Sequence, residues 1–237
     1  MLKKSAFFFW GMTMDLKRTE LKYLITMDEY QKLKTELSMM MQLDPFANPT
    51  THTYHIKSLY FDDMYFSHVC EKADGIEYHT KFRLRQYENQ RVRLEKKTKV
   101  GNLTGKQSLW MIDGLDEALR NQDDKTLYKY IDEPLIEEMI VKIKLDHLKP
   151  SMWINYDREA YIYPAGDTRI TFDTNITASS YDRPGGLERK ILEPKHLILE
   201  IKYTEYLPDF IKKVVMHRNY QLISYSKYYM GFTSIEI

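Results

Sequence analysis

Lys81-Phe82-Arg83-Leu84-Arg85-Gln86-Tyr87 and Arg91-Val92-Arg93-Leu94-Glu95-Lys96-Lys97-Thr98-Lys99 decide how this chain folds. In each run most charges fall on one side of a period-2 alternation and much of the apolar weight on the other, as in a strand with two unlike faces. Joined at Glu88-Asn89-Gln90, they predict a hairpin that sets Arg85 opposite Arg93, Arg83 opposite Glu95 and Lys81 opposite Lys97. Both charged sets then share one face. Like charges directly opposed in a ladder repel, so a face of stacked Arg and Lys calls for an anion.

The remainder of the chain bounds what that anion can be. With 237 residues, 43% of them hydrophobic, there is material for one large domain with a real core. Lys and Arg total 35 against 34 Asp and Glu, so a basic site must be a local concentration of cations and not a property of the whole surface. The single cysteine, Cys70, excludes an internal disulfide and suits a reducing, cytoplasmic setting; it reads as a small buried or half-buried side chain. Ala6-Phe7-Phe8-Phe9-Trp10-Gly11-Met12 is too short to span a bilayer and has no cleavage site, so residues 1–14 read as a tail, with Met12 or Met14 as alternative starts. Residues 15–237 read as one domain without an internal boundary or a transmembrane segment.

Strand patterns cover Lys17 to Ile25, His55 to Asp62, Thr80 to Tyr87, Arg91 to Lys99, Lys106 to Trp110, Met152 to Tyr163, Arg169 to Thr174 and His196 to Tyr203. Thr26 with Glu29 forms a capping box for a helix to about Leu43, Pro134 opens one to about Leu148, and Pro208 opens Asp209 to Arg218. A further helix is predicted near Asp113. The strands keep Glu20 and Lys22, Arg83 and Arg85, Glu95 and Lys97, Arg158, Arg169 and Asp173, and Glu200 and Lys202 on one parity. Tyr23, Leu84 and Ile201 fall on the other, and amphipathic helices need such an apolar surface to pack on. The expectation is α+β: an eight-stranded antiparallel β-barrel with helices outside and the charged faces lining a lumen. Lys96, on the parity opposite to Lys97, reads as solvated.

The ordered set of motifs resembles the catalytic domain of the vacuolar transporter chaperone (VTC) polyphosphate polymerases, within the triphosphate tunnel metalloenzymes. The matching pieces include Glu20-Leu21-Lys22-Tyr23, Ser58-Leu59-Tyr60-Phe61-Asp62, Arg83-Leu84-Arg85, Leu94-Glu95-Lys96-Lys97 and Tyr156-Asp157-Arg158. Arg169-Ile170-Thr171-Phe172-Asp173, Leu199-Glu200-Ile201-Lys202 and Ser226-Lys227-Tyr228 follow in family order. The resemblance implies a tunnel that binds the triphosphate of ATP and a growing inorganic polyphosphate chain, with Mn or Mg. It casts Lys22, Arg83, Arg85, Lys97, Arg158, Arg169 and Lys227 as phosphate-binding, Lys202 and Ser226 as further contacts, and Glu200 as the metal carboxylate. Lys106 lies where the match is loose and is left outside this set.

These residue types suit phosphoryl transfer, in which the protein chiefly positions reactants and neutralises non-bridging oxygens. Superfamily hydrolases and cyclases usually carry two glutamates before the first-strand lysine, whereas here the first is Arg18. That favours a polymerase over a metal-dependent triphosphatase; a non-catalytic polyphosphate- or nucleotide-binding module is the third reading. His52 and His55 lack helical ligand spacing, which disfavours zinc, and no basic helix or stacked aromatic platform points to nucleic acid. Any membrane coupling would come from a membrane-protein partner. Lys22 and Lys227 sit at motif ends and are expected to matter for rate more than for stability.

Overall fold

The computed structural model describes residues 8–9, 12–15, 18–71, 76–88, 90–100, 103–112, 114–183, 188–216, 220–224 and 226–235, with side chains from Thr19 onward except at Leu103. Most of the apolar N-terminal run, Asp113 and Arg218 lie outside these residues. All eight predicted strands form: β1 (Arg18–Thr26), β2 (Thr53–Asp62), β3 (Tyr78–Tyr87), β4 (Val92–Val100), β5 (Leu103–Trp110), β6 (Lys149–Tyr163), β7 (Thr168–Ser180) and β8 (His196–Thr204). Their order in the sheet is β5-β4-β3-β2-β6-β7-β8-β1, and every neighbouring pair is antiparallel. The β3–β4 hairpin has the predicted register, with Lys81 opposite Lys97, Arg83 opposite Glu95 and Arg85 opposite Arg93.

The expected closed barrel is corrected by the ladders, which form an open path. Backbone pairing between β5 and β1 is replaced in two ways. Met12–Asp15, just ahead of β1, pairs with β5, while β1 takes Gln221–Leu222 on the edge that β8 leaves free. The sheet nonetheless curls. Register shifts between Tyr60 and Phe61 and between Thr174 and Thr177 bend β2 and β7. As a result Lys97 of β4 reaches Glu20 of β1 at 3.1 Å, although five strands separate them in the ladder. Side chains, not backbone, bridge the gap.

Helices cover the outer face as expected. The α1 helix (Met27–Ser38) starts at the predicted capping box, with Thr26 N donating to Glu29 Oε2 at 2.7 Å and Glu29 N donating to Thr26 Oγ1 at 3.3 Å. It ends before the predicted Leu43, because Gln42–Leu43 instead pairs with β6. A short α2 (Ser67–Cys70) follows β2, then α3 (Leu115–Asn121), α4 (Asp124–Leu127), α5 (Pro134–Leu145) and α6 (Asp209–Met216). Leu84, Phe82 and Leu94 pack against Leu119, Ile136 and Met139 of α3 and α5, and Phe172, Leu199 and Ile201 against Leu33, Leu37 and Ile211 of α1 and α6. Tyr23 joins that second group, half-buried. Lys96 is corrected: it is buried on the outer face, where α5 covers it and its Nζ donates to Glu138 Oε2 at 2.7 Å.

A helix that the sequence patterns did not announce, α7 (Lys227–Ile235), packs on the inner face of β6 and β7. There the inner face is apolar. Met152, Ile154 and Ala178 form a floor on which Gly231 rests so closely that an added Cβ would stand 2.6 Å from Ile154 Cδ1 and 3.0 Å from Ala178 Cβ. Tyr228 stacks on Tyr60 with centroids 4.5 Å apart and donates its hydroxyl to buried Asp62 at 2.7 Å. The inner face therefore has two zones, an apolar floor covered by α7 and a charged surface carried by the neighbouring strands. None of the described helices is long and apolar enough to cross a membrane.

Candidate functional site

Strand parity brings most of the predicted residues into the lumen, and they assemble as three charged clusters. Glu95 is the centre of the first. Arg83 donates to its Oε2 from Nε at 2.8 Å and from Nη2 at 2.6 Å, while Arg93 and Lys106 reach Oε1 at 3.0 and 2.8 Å. Burial pushes Glu95 up, but Arg83, Arg85 and Lys106 outweigh it and hold the carboxyl far below its ordinary value. Glu95 is thereby fully committed to cations. Lys106, left outside the predicted set, belongs to this cluster; its alternation with Ser108 and its pairing opposite Lys97 were the signal that could have placed it.

The second cluster joins β1 and β8. Glu20 contacts Lys22 at 2.8 Å, Lys97 at 3.1 Å and Lys202 at 3.8 Å, and Glu200 contacts Lys202 at 3.4 Å, Arg158 at 3.4 Å and Lys22 at 3.8 Å. The two carboxylates share Lys22 and Lys202 between them. Burial raises Glu20 and Glu200, yet the neighbouring lysines keep both below their ordinary values and so ionised. In the third cluster Arg158 grips Asp173 through two bonds of 2.6 and 2.7 Å, and Lys227 Nζ lies 2.5 Å from the same carboxylate. Ser226 caps α7 by accepting from Tyr229 N at 3.1 Å, so its backbone role is structural. Arg169 stands apart from these clusters, bonded to Asp44 and, at 2.9 Å, to the Tyr54 hydroxyl.

Cations outnumber carboxylates on this surface, and the field is legible in a neutral group. Burial alone would raise the Tyr60 phenol, but Arg83 and Arg85 bring it below its ordinary value. Some donors remain unsatisfied as well. Arg85 Nε, Ser58 Oγ and Thr171 Oγ1 are buried without a hydrogen-bond partner in the protein. Buried polar atoms are ordinarily bonded, so these three are available to water or to a ligand with acceptor oxygens.

Two lysines make that surface pH-sensitive. Burial pulls Lys202 down to about 8 against the opposing pull of Glu200 and Glu20. Burial also pulls Lys106 down to about 8 against Glu95, although its side chain is 47% exposed and solvent softens the effect. Both lysines are cationic below this value and neutral above it. Affinity for inorganic tripolyphosphate is therefore expected to fall as pH rises from about 7 to about 9. Calorimetric titration at the two ends of that range checks this; Lys202→Met should flatten the dependence, and an affinity that rises with pH would contradict the assignment.

Comparison with known proteins agrees with the architecture. A candidate adenylyl cyclase from Hippeastrum, described as having a dominant triphosphatase activity, is 14% identical with a TM-score of 0.55, over 92% of this chain and 96% of that one. A candidate adenylate cyclase from Bacillus halodurans is 12% identical with a TM-score of 0.50, over 81% of this chain and 82% of that one. At such identities the likeness is one of fold. No curated protein matches the chain in sequence. The VTC domain matches residues 17–236, nearly the whole length, and covers every strand that builds the lumen. The chain belongs to the VTC domain family.

Proposed function

We propose that this protein is an ATP-dependent polyphosphate polymerase. The observation that carries the reading is the convergence of Lys22, Arg83, Arg85, Lys97, Arg158, Lys202 and Lys227 on one lumen in a VTC-family chain, with buried donors there that no protein group satisfies. A terminal oxygen of the polyphosphate chain attacks the γ-phosphorus of ATP. The bond from that phosphorus to the β–γ bridging oxygen breaks, and ADP leaves with the electron pair. The attacking oxygen is already anionic, so no side-chain base is needed.

The residues divide this work by geometry. Arg83 and Arg85 present guanidinium groups from adjacent positions of one face of β3, suited to non-bridging oxygens along a chain, and Glu95 holds Arg83 in place. Lys22, Lys97 and Lys202 form a set of ammonium groups around Glu20 and Glu200. Those two neighbouring carboxylates are the oxygen donors a hard divalent cation such as Mn or Mg takes alongside phosphate oxygens, and they are the residues that would hold it. Among the described residues no group of three or more His, Cys, Asp or Glu is placed to hold a metal, which fits a cation completed by substrate and not by a protein cage. When bound, it would neutralise charge on the transferring phosphoryl group.

Incubation of the purified protein with ATP and Mn tests the reading, with products resolved on a polyphosphate gel. Chain growth is the expected result. Release of inorganic phosphate without chains would replace the polymerase by a triphosphatase, and no product with any divalent metal would leave a binding module.

A further inference from the structure

The end of the lumen away from α7 carries an aromatic group that the phosphate chemistry does not use. Trp110, the last residue of β5, shares its parity with Lys106 and Ser108 and pairs with Arg93 in the ladder, so it stands on the lumen side at the rim. It is 42% exposed. The guanidinium of Arg91 lies over the indole at 4.4 Å and that of Arg93 at 4.8 Å, while Tyr87 flanks it with ring centroids 6.0 Å apart. These residues come from the adjoining ends of β3, β4 and β5.

We propose that Trp110, with Arg91 and Tyr87, forms the platform on which the base of the nucleoside triphosphate stacks while its phosphates enter the lumen; this rests on the lumen being a triphosphate site. A stacked guanidinium marks an indole face that accepts flat, π-bearing partners, and a purine is a larger one. Four residues along β5 separate Trp110 from Lys106, roughly 13 Å at strand rise, comparable to the reach from a base to the far phosphates of an extended nucleotide. Arg91 is exposed, long and unbranched, so it can yield the face to a base or close over it. The platform offers π-surface and charge, so it favours purines over pyrimidines by stacking area and distinguishes adenine from guanine weakly. Trp153 is the internal contrast. It also carries a stacked cation, Lys57 at 4.3 Å, but belongs to the outer face with Tyr181.

Calorimetric titration of the full chain with ATP, GTP, UTP and inorganic tripolyphosphate tests the platform. Trp110→Ala should weaken ATP and GTP binding about tenfold, UTP less, and tripolyphosphate hardly at all. Trp110→Phe should recover most of the loss, and Trp153→Phe should bind all four as the parent does. An equal loss for tripolyphosphate would overturn the platform, because Trp110 would then be supporting the cations. Undiminished ATP binding in Trp110→Ala would overturn it too. Continued chain growth from ATP in that case would leave the polymerase reading intact, whereas a parent that binds no tripolyphosphate at all would overturn both.

Discussion

Glu200→Gln is expected to lose metal-dependent turnover by about a hundredfold or more while still binding tripolyphosphate. Glu200 is 4% exposed, and its nearest charged neighbours are Lys202, Arg158, Lys22 and the second carboxylate, Glu20. The amide keeps the shape and removes one negative charge from a cation-rich surface. Anion affinity should therefore hold or tighten even as the donor that a divalent cation needs is weakened. Rates at limiting and saturating Mn, set beside tripolyphosphate titrations, separate the two effects. Full activity at limiting Mn would place the cation elsewhere. Glu20 would then be the residue to substitute, because Glu95 is enclosed by Arg83, Arg93 and Lys106.

The same substitution shows why carboxylates occur in a lumen meant for an anion. A face of bare Arg and Lys would repel itself in the free protein. Glu95, Glu20, Asp173 and Glu200 each neutralise part of a cluster and orient its cations, and each stays ionised because its cationic partners outweigh the cost of burial. Under the proposed function, an incoming phosphate chain would compete for lysines such as Lys97, 43% exposed, without dismantling the bidentate arginine pairs.

How far the sequence disclosed this depends on where alternation was clean. In β3, β4 and β8 charged and apolar residues alternate, Lys96 and Ile198 apart, and facing follows from local pattern alone. In β6 the run Met152-Trp153-Ile154 is apolar on both parities, because Trp153 packs outside and its neighbours inside beneath α7. A strand buried on both faces gives no sign of which face is the lumen. The α7 segment, Tyr228-Tyr229-Met230-Gly231-Phe232, is aromatic with a central glycine, a poor helix signal that only the floor of Ile154 and Ala178 explains. Lys96 was placed on the correct face but misread as solvated, since Glu138 lies 42 residues away and no local pattern announces it. Barrel closure failed as an expectation for a related reason: strand count is local information, and edge pairing is not.

Lys22 and Lys227 were expected to act alike, and the structure separates them. Lys22→Ala should slow phosphoryl transfer by roughly one to two powers of ten, the worth of one charge-assisted contact in the transition state. Its melting temperature should barely move, because Lys97 and Lys202 remain beside Glu20. Lys227 is only 12% exposed and faces Asp173, which is 0% exposed. Removing its ammonium leaves that carboxylate to Arg158 alone. Breaking a buried pair outright costs about 3 to 5 kcal/mol, and with the bidentate arginine retained about 2 kcal/mol is expected. For a chain of this size that lowers the melting temperature by roughly 4 to 8 °C. Lys227→Ala should therefore lose both rate and stability. Adding Asp173→Asn should restore much of the melting temperature without restoring chain growth, because the stranded charge is relieved while the phosphate contact stays absent. Melting curves and polyphosphate gels for the four proteins decide it. Activity recovered together with stability in the double variant would mean that Lys227 serves only to neutralise Asp173 and touches no phosphate.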